Sequence, residues 1–145
     1  MRVSAKGRYA IRFMIDLAIN SNGNPVAIKD IAKRQNISVK YLEQIAAMLN
    51  KAYYIKSIRG FKGGYILYHE PENYTVADIL KITEGSLAPI DCVGEGSFEC
   101  DKRGVCVSVR VWERLYNAVN DTLSDITLQD LVDWSNEIDA SQYVI

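Results

Sequence analysis

Three cysteines, Cys92, Cys100 and Cys106, fall within fifteen residues, in a stretch that also carries Gly94, Gly96 and Gly104 and the acids Asp91, Glu95, Glu99 and Asp101. Thiols this close on a glycine-containing backbone can converge on one metal-sized point at small loop-closure cost. Thiolate sites usually take four ligands, so three leave one position to a side chain, a solvent molecule or another chain. The donor type suits zinc, cuprous copper and iron-sulfur clusters alike. Structural zinc sites usually show Cys-x2-4-Cys pairs, which this chain lacks. A reversible disulfide between two of the three comes next. Three ordinary core cysteines fit the glycine- and acid-rich surroundings least well.

The rest of the chain must position this loop, and its charge is partitioned. Up to Tyr68 there are twelve Lys and Arg against three acids, a net +9; from His69 onward there are five against fifteen, a net −10. A basic half joined to an acidic half reads as a polyanion-binding face on a regulatory or partner-binding body, because ordinary surfaces intersperse their charges. At 145 residues a single domain is expected. The amino terminus lacks the apolar core of a signal peptide and Asp16 interrupts the most apolar early run, so a cytoplasmic protein with no membrane partner is expected. In that compartment an odd cysteine cluster binds metal or senses redox state more often than it forms structural disulfides. Neither a His-rich constellation nor a nucleophile motif is present, which argues against an enzyme.

Ser4 can cap a first helix to about Asn20, with Tyr9, Phe13, Met14, Leu17 and Ala18 on one stripe. Lys6 and Arg8 near its start are unfavourable unless a phosphate is close, so they read either as DNA-backbone contacts or as solvated cations. After the Asn22-Gly23-Asn24-Pro25 break comes a short amphipathic helix from Ile28, then a longer one from about Ser38 to Lys51. The spacing of Ile31, Ala32, Ile37, Leu42, Ile45 and Leu49 is that of two helices packed across a tight turn, a helix-turn-helix. Residues opening the second helix would reach the major groove: Ser38, Val39, Lys40, Tyr41, Glu43 and Gln44. Gln44 can pair with adenine, Val39 can meet a thymine methyl, Ser38 and Tyr41 can touch phosphate or base, and Glu43 can accept from a cytosine amino group.

Two β-prone runs then flank Arg59-Gly60-Phe61-Lys62-Gly63-Gly64, a hairpin with a basic, glycine-rich tip, or wing, whose Arg59 and Lys62 can approach DNA, with Arg59 suited to a narrow minor groove. Thr75 and Asp78 form a capping pattern for a helix ending at Gly85. Beyond the cysteines, Trp112, Leu115, Tyr116, Val119 and Leu123 make an apolar stripe over about four turns, suited to pairing with a second copy or to packing within the chain. Thr127 and Asp130 repeat the cap before a last short helix through Leu131, Val132 and Trp134, with a polar tail after Ser135.

The opening Arg2-Val-Ser-Ala-Lys-Gly-Arg-Tyr-Ala, the segment Ile37-Ser-Val-Lys-Tyr-Leu-Glu-Gln, the wing Ser57-Ile-Arg-Gly-Phe-Lys-Gly-Gly-Tyr and the cysteine triplet together resemble the IscR-type iron-sulfur regulators, of the winged-helix family that also includes NsrR, RirA and CymR. The resemblance runs from Met1 to about Leu131. It implies an α+β, mostly helical fold: a winged helix-turn-helix with a long C-terminal dimerisation helix. Residues 1–84 would read DNA, 85–107 would form the cluster-binding loop, and 108–145 would hold the dimerisation helix and tail. The implied protein is a homodimeric transcription factor on a palindromic operator of double-stranded DNA, with the Trp112 stripe at the dimer interface. The implied cofactor is an iron-sulfur cluster on Cys92, Cys100 and Cys106, with the 2Fe-2S form favoured over 4Fe-4S. IscR-type members carry a histidine three residues after the third cysteine, where this chain has Val109; its one histidine is His69, at the end of the wing. Nitric-oxide-sensing relatives use an acid near the start of the first helix, where this chain has Arg8, and CymR-like members lack the triplet. Ser108, Asp91, Glu95, Glu99, Asp101 and a solvent or small thiol molecule stay open as the fourth ligand.

Overall fold

The computed structural model describes residues 2–142; Met1 and residues 143–145, the end of the polar tail, lie outside the described residues. Six helices and one hairpin follow in the order α1 (Ala5–Asn20), α2 (Ile28–Gln35), α3 (Val39–Lys51), β1 (Ile55–Ile58), β2 (Gly64–Leu67), α4 (Val76–Glu84), α5 (Val109–Ser124) and α6 (Leu128–Gln142). The strands pair antiparallel, with Ile55 opposite Leu67 and Ile58 opposite Gly64. The fold is therefore mostly helical α+β, as the residue patterns imply. Among the described residues no helix is long and apolar enough to cross a membrane.

Helix α1 is the central strut. Ser4 caps it by accepting from the Gly7 amide at 3.2 Å, and the Ser4 hydroxyl donates to Glu84 at 2.6 Å, tying the start of α1 to the end of α4. Ala10, Phe13, Met14 and Leu17, spaced for one helical face, are wholly buried against Ile31, Leu42, Ile45, Leu49 and Ile79. The α2–α3 turn is made by Asn36 in the left-handed conformation (φ 52°), a geometry that asparagine tolerates better than most side chains. Ser38 then caps α3 by accepting from the Tyr41 amide.

Asp16, which breaks the apolar run in the sequence, is a lock. Its carboxylate is buried and accepts from Arg34 Nη2 at 2.6 Å, Arg34 Nε at 3.0 Å and Gln35 Nε2 at 2.8 Å, pinning the end of α2 to α1. The hydrogen bond to Asp16 pushes the Arg34 guanidinium above its ordinary pKa. Gln35 also receives Arg12, whose Nε lies 3.0 Å from its side-chain oxygen, so two exposed arginines and one buried acid form a single network.

The hairpin is held by its base. Val26 and Tyr65 exchange two backbone hydrogen bonds of 2.9 Å, and the Tyr65 ring meets Phe13 edge-on at 6.0 Å. Tyr74, 1% exposed, donates its hydroxyl to the Tyr54 carbonyl and accepts from the His69 amide; burial raises its pKa and keeps the proton it donates.

Helix α6 is longer than the short helix expected. No glycine or proline occurs from Leu128 to Gln142, so nothing stops the helix at Ser135 despite the polar composition. Its start returns to the body formed by α1, α2 and α3. Thr75 and Thr127 form an antiparallel bridge, the Leu128 amide donates to the Tyr74 carbonyl, and Leu128 is wholly buried in the α1–α3 core.

Replacing Asp16 with alanine leaves Arg34 and Gln35 without their shared acceptor and should destabilise the fold by about 1–3 kcal/mol. Thermal unfolding followed by circular dichroism should then show a midpoint lower by roughly 4–10 °C. Arg34→Ala should cost at least as much, because it leaves the buried Asp16 carboxylate without its cation, whereas the 39% exposed Arg34 side chain can be solvated when Asp16 is removed.

Candidate nucleic-acid interface and cysteine loop

The outer face of α3 is set by what its inner face buries. Leu42, Ile45, Ala46 and Leu49 point into the core, leaving Lys40, Glu43, Gln44 and Ala47 exposed at helical spacing. Ala47 completes this face at helical spacing from Lys40, Glu43 and Gln44. Ser38 is exposed at the cap, whereas Val39 and Tyr41 are half-buried and packed against the core. Tyr41 meets Tyr9 of α1 edge-on at 5.7 Å, and the Arg8 and Arg12 guanidiniums stand 6.0 and 5.5 Å from the centre of the Tyr9 ring. This aromatic and cationic contact brings the start of α1 beside the start of α3. Arg8 is exposed and Lys6 half-buried.

Arg59 and Lys62 are both exposed at the hairpin tip, where the Gly63 amide donates to the Gly60 carbonyl at 3.0 Å to close a tight turn. Exposed cations thus line the α3 face, the start of α1 and the wing, a distribution suited to phosphate contacts.

The loop between α4 and α5 has a fixed and an open part. Leu87 and Val93 are buried, and the turns that follow are closed by short-range backbone bonds, Ser97 to Gly94 and Arg103 to Cys100 among them. Cys92, Cys100 and Cys106 are each half-buried and carry free thiols. Among the described residues no three His, Cys, Asp or Glu side chains are gathered within reach of one ion, so the structure does not bring the three thiols together. Asp91, Glu95, Glu99 and Asp101 are exposed. His69 packs against the rings of Tyr68 and Tyr74 at the wing base, so its environment is aromatic. Val109, the position at which the family resemblance calls for histidine, is the first residue of α5 and is buried.

Cys106 has the most distinctive chemistry. Its Sγ lies 3.2 Å from Ser108 Oγ, and this hydroxyl, followed by the amides of Val109 and Ser108, lowers the thiol pKa by favouring the thiolate. Arg103 follows Lys102 in this otherwise acidic loop, and only its distant partners set it apart. Its guanidinium donates to the Cys92 carbonyl and, at 2.6 Å, to Glu113 on α5, linking the first cysteine to the helix that begins after the third.

Helix α5 divides its apolar stripe. Tyr116 and Leu123 pack against Val76, Ala77, Leu80 and Leu87, whereas Leu115 is 41% exposed and Val111, one turn before it, 58%. Trp112 and Val119 are intermediate, and Val119 helps line an open groove of about 410 Å³ with Val3, Leu80 and Leu123. One side of the stripe therefore packs within the chain and the other stays uncovered.

A protein-family model, Rrf2, described as an iron-dependent transcriptional regulator, matches residues 3–134. The chain is 36% identical over 141 residues to IscR of Escherichia coli, covering 97% of this chain and 86% of that one, and 38% identical over 136 residues to CymR of Bacillus subtilis, covering 94% and 93%. Among solved structures, T. potens IscR matches with a TM-score of 0.77 at 38% identity, covering 95% of this chain and 90% of that one. CymR, the global cysteine regulator of B. subtilis, matches at 0.75 and 36%, covering 92% and 98%. These relatives are transcriptional regulators and not enzymes, and the chain belongs to the Rrf2 family of winged-helix transcriptional regulators.

Proposed function

We propose that this chain is a cytoplasmic, homodimeric transcription factor that senses iron-sulfur cluster status, with occupancy of the cysteine loop altering its hold on a palindromic operator. The observation that carries this reading is the triplet itself: Cys92, Cys100 and Cys106 on the segment leading directly into α5. The donor chemistry fits a cluster, since all three are free thiols and Cys106 is already biased to the thiolate that metals require. Cys92, Cys100 and Cys106 would hold the group, with 2Fe-2S favoured over 4Fe-4S, and when bound it supplies a covalent cross-link between three points of the chain. Because the thiols are not gathered in the arrangement described above, ligation requires the loop to move.

Two features of the chain support a reading in which that movement is felt at α5. Cys106 is followed two residues later by the Ser108 cap position of α5, so drawing Cys106 inward displaces the start of the helix. Arg103 links Cys92 to Glu113 and resists the change until its contacts rearrange. The uncovered side of α5, with Val111, Leu115 and Val119, suits a second copy, which would set the separation of two α3 helices, one per operator half-site. Residues 1–84 then act as the DNA reader, 85–107 as the sensing loop and 108–145 as the dimer-forming part. Ser38, Lys40, Glu43, Gln44 and Ala47 would meet the major groove, Arg59 and Lys62 the wing's groove, and Lys6 and Arg8 the backbone.

A redox or nitric-oxide reading of the same loop is favoured by one observation, the lowered pKa of Cys106, which makes it the readier nucleophile and oxidation site. A zinc-thiolate protein is the remaining alternative. Anaerobic purification separates the three. Cluster sensing predicts brown protein with matching iron and sulfide, and loss of visible absorbance in Cys92→Ala. Colourless protein containing zinc, or protein with neither metal nor sulfide, would contradict it.

The Ser108 contact makes its own prediction. A donor that stabilises the thiolate keeps Cys106 ionised to lower pH, so its removal in Ser108→Ala should move the midpoint of Cys106 alkylation upward in pH. Iodoacetamide labelling of metal-free protein, read by peptide mass spectrometry, would show an unchanged profile if the hydroxyl had no such role.

A further inference from the structure

The wing tip presents a side chain that neither core packing nor phosphate binding explains. Phe61 is 104% exposed, the most exposed of the large apolar side chains among the described residues, whereas the neighbouring exposed rings of Tyr53 and Tyr68 at least meet each other edge-on at 6.0 Å. Nor is the placement loose. Gly60 has φ +119°, and a Cβ on Gly63 would run into the carbonyls of Ile58 and Gly60, so glycine at both corners enforces the turn closed by the Gly63 to Gly60 hydrogen bond. Phe61 and Lys62 are thereby held at the two projecting positions of a pinned hairpin.

The surroundings select the occupant. From Ala52 to Tyr68 there is no acidic residue, while Lys56, Arg59 and Lys62 are exposed around the tip. A single ring among glycines and cations is too small a patch for a protein interface or a lipid surface. It matches the duplex minor groove, whose phosphate walls attract the cations and whose floor admits one apolar wedge between base steps.

We propose that Phe61 is a specificity-determining wedge: it enters the minor groove beside Arg59 and presses on one base step, so that affinity depends on how easily that step opens. The inference rests on the assignment of the wing as a DNA contact and adds readout at a position where Arg59 and Lys62 supply only charge. Pyrimidine–purine steps such as TA should be preferred there, because they unstack most readily.

The test uses the full-length protein and a duplex operator enriched from a random pool, prepared in versions that differ only at the step facing the wing, TA or AA. Fluorescence anisotropy should show wild-type protein preferring TA. Phe61→Ala should bind the TA operator about 5- to 100-fold more weakly, the scale of one aromatic stacking contact, and lose the preference with its salt dependence unchanged. Phe61→Leu should recover most of both. Lys62→Ala should keep the preference while the slope of log affinity against log salt becomes shallower by about one. Because Phe61 packs against nothing, Phe61→Ala should melt as wild type does. Wild-type affinity and step preference in Phe61→Ala would overturn the proposal with the DNA-reader assignment intact. Absence of salt-dependent duplex binding by wild-type protein would overturn both.

Discussion

Leu128 enters the same core as Leu42 and Ile45, and the path between the cysteine loop and α3 depends on that return. Helix α5 leaves the loop at Val109 and ends at Ser124, four residues before Leu128 is buried against the helix-turn-helix body. The bridge between Thr75 and Thr127 fixes the join, and each threonine caps its own helix with an aspartate three residues on. The fold thus places the cysteine loop at one end of a helix whose other end is anchored beside the helix-turn-helix. A change at the cysteines that shifts α5 must be met either in its packing on α4 or in the face it offers a second copy.

The charge partition serves the same division of labour. The basic half holds the helix-turn-helix and wing, and its one buried acid, Asp16, is consumed in fixing α2 to α1. With that carboxylate satisfied by Arg34 and Gln35, Arg8 and Arg12 of α1, Lys40 of α3 and Arg59 and Lys62 of the wing stay exposed. The acidic half carries the loop and α5, where the ion pair of Arg103 with Glu113 is half-exposed and correspondingly weak. Under the proposed function, weak ties would suit the segment that rearranges, and strong ones the frame against which it moves.

Much of this was legible in the residues, for physical reasons. Helix starts were readable because Ser4, Ser38, Thr75 and Thr127 bond their own first turns, a local effect needing no knowledge of the fold. The α3 face followed from periodicity, and the wing from its glycines. What stayed hidden depends on partners distant in sequence. Asp16 looked like an interruption because Arg34 lies eighteen residues away. The length of α6 was masked by polar composition, although nothing in it breaks a helix. Tyr116 and Leu123 carry apolar character that spacing alone could assign equally to a second copy or to α4; the structure packs them on α4. Arg103 and Phe61 escaped notice because one was an unremarked charge and the other a turn residue until their surroundings were known.

The central claim is that what the cysteine loop holds changes how the reader grips DNA. The direct measurement is operator affinity on one anaerobic preparation, first with iron and sulfide bound and then after their removal, at fixed salt. Coupling of the usual allosteric size would change the dissociation constant by about 5- to 150-fold on at least one class of operator. Equal affinity in the two states on every operator tested would contradict the account, leaving a DNA-binding protein whose cysteines serve some other purpose.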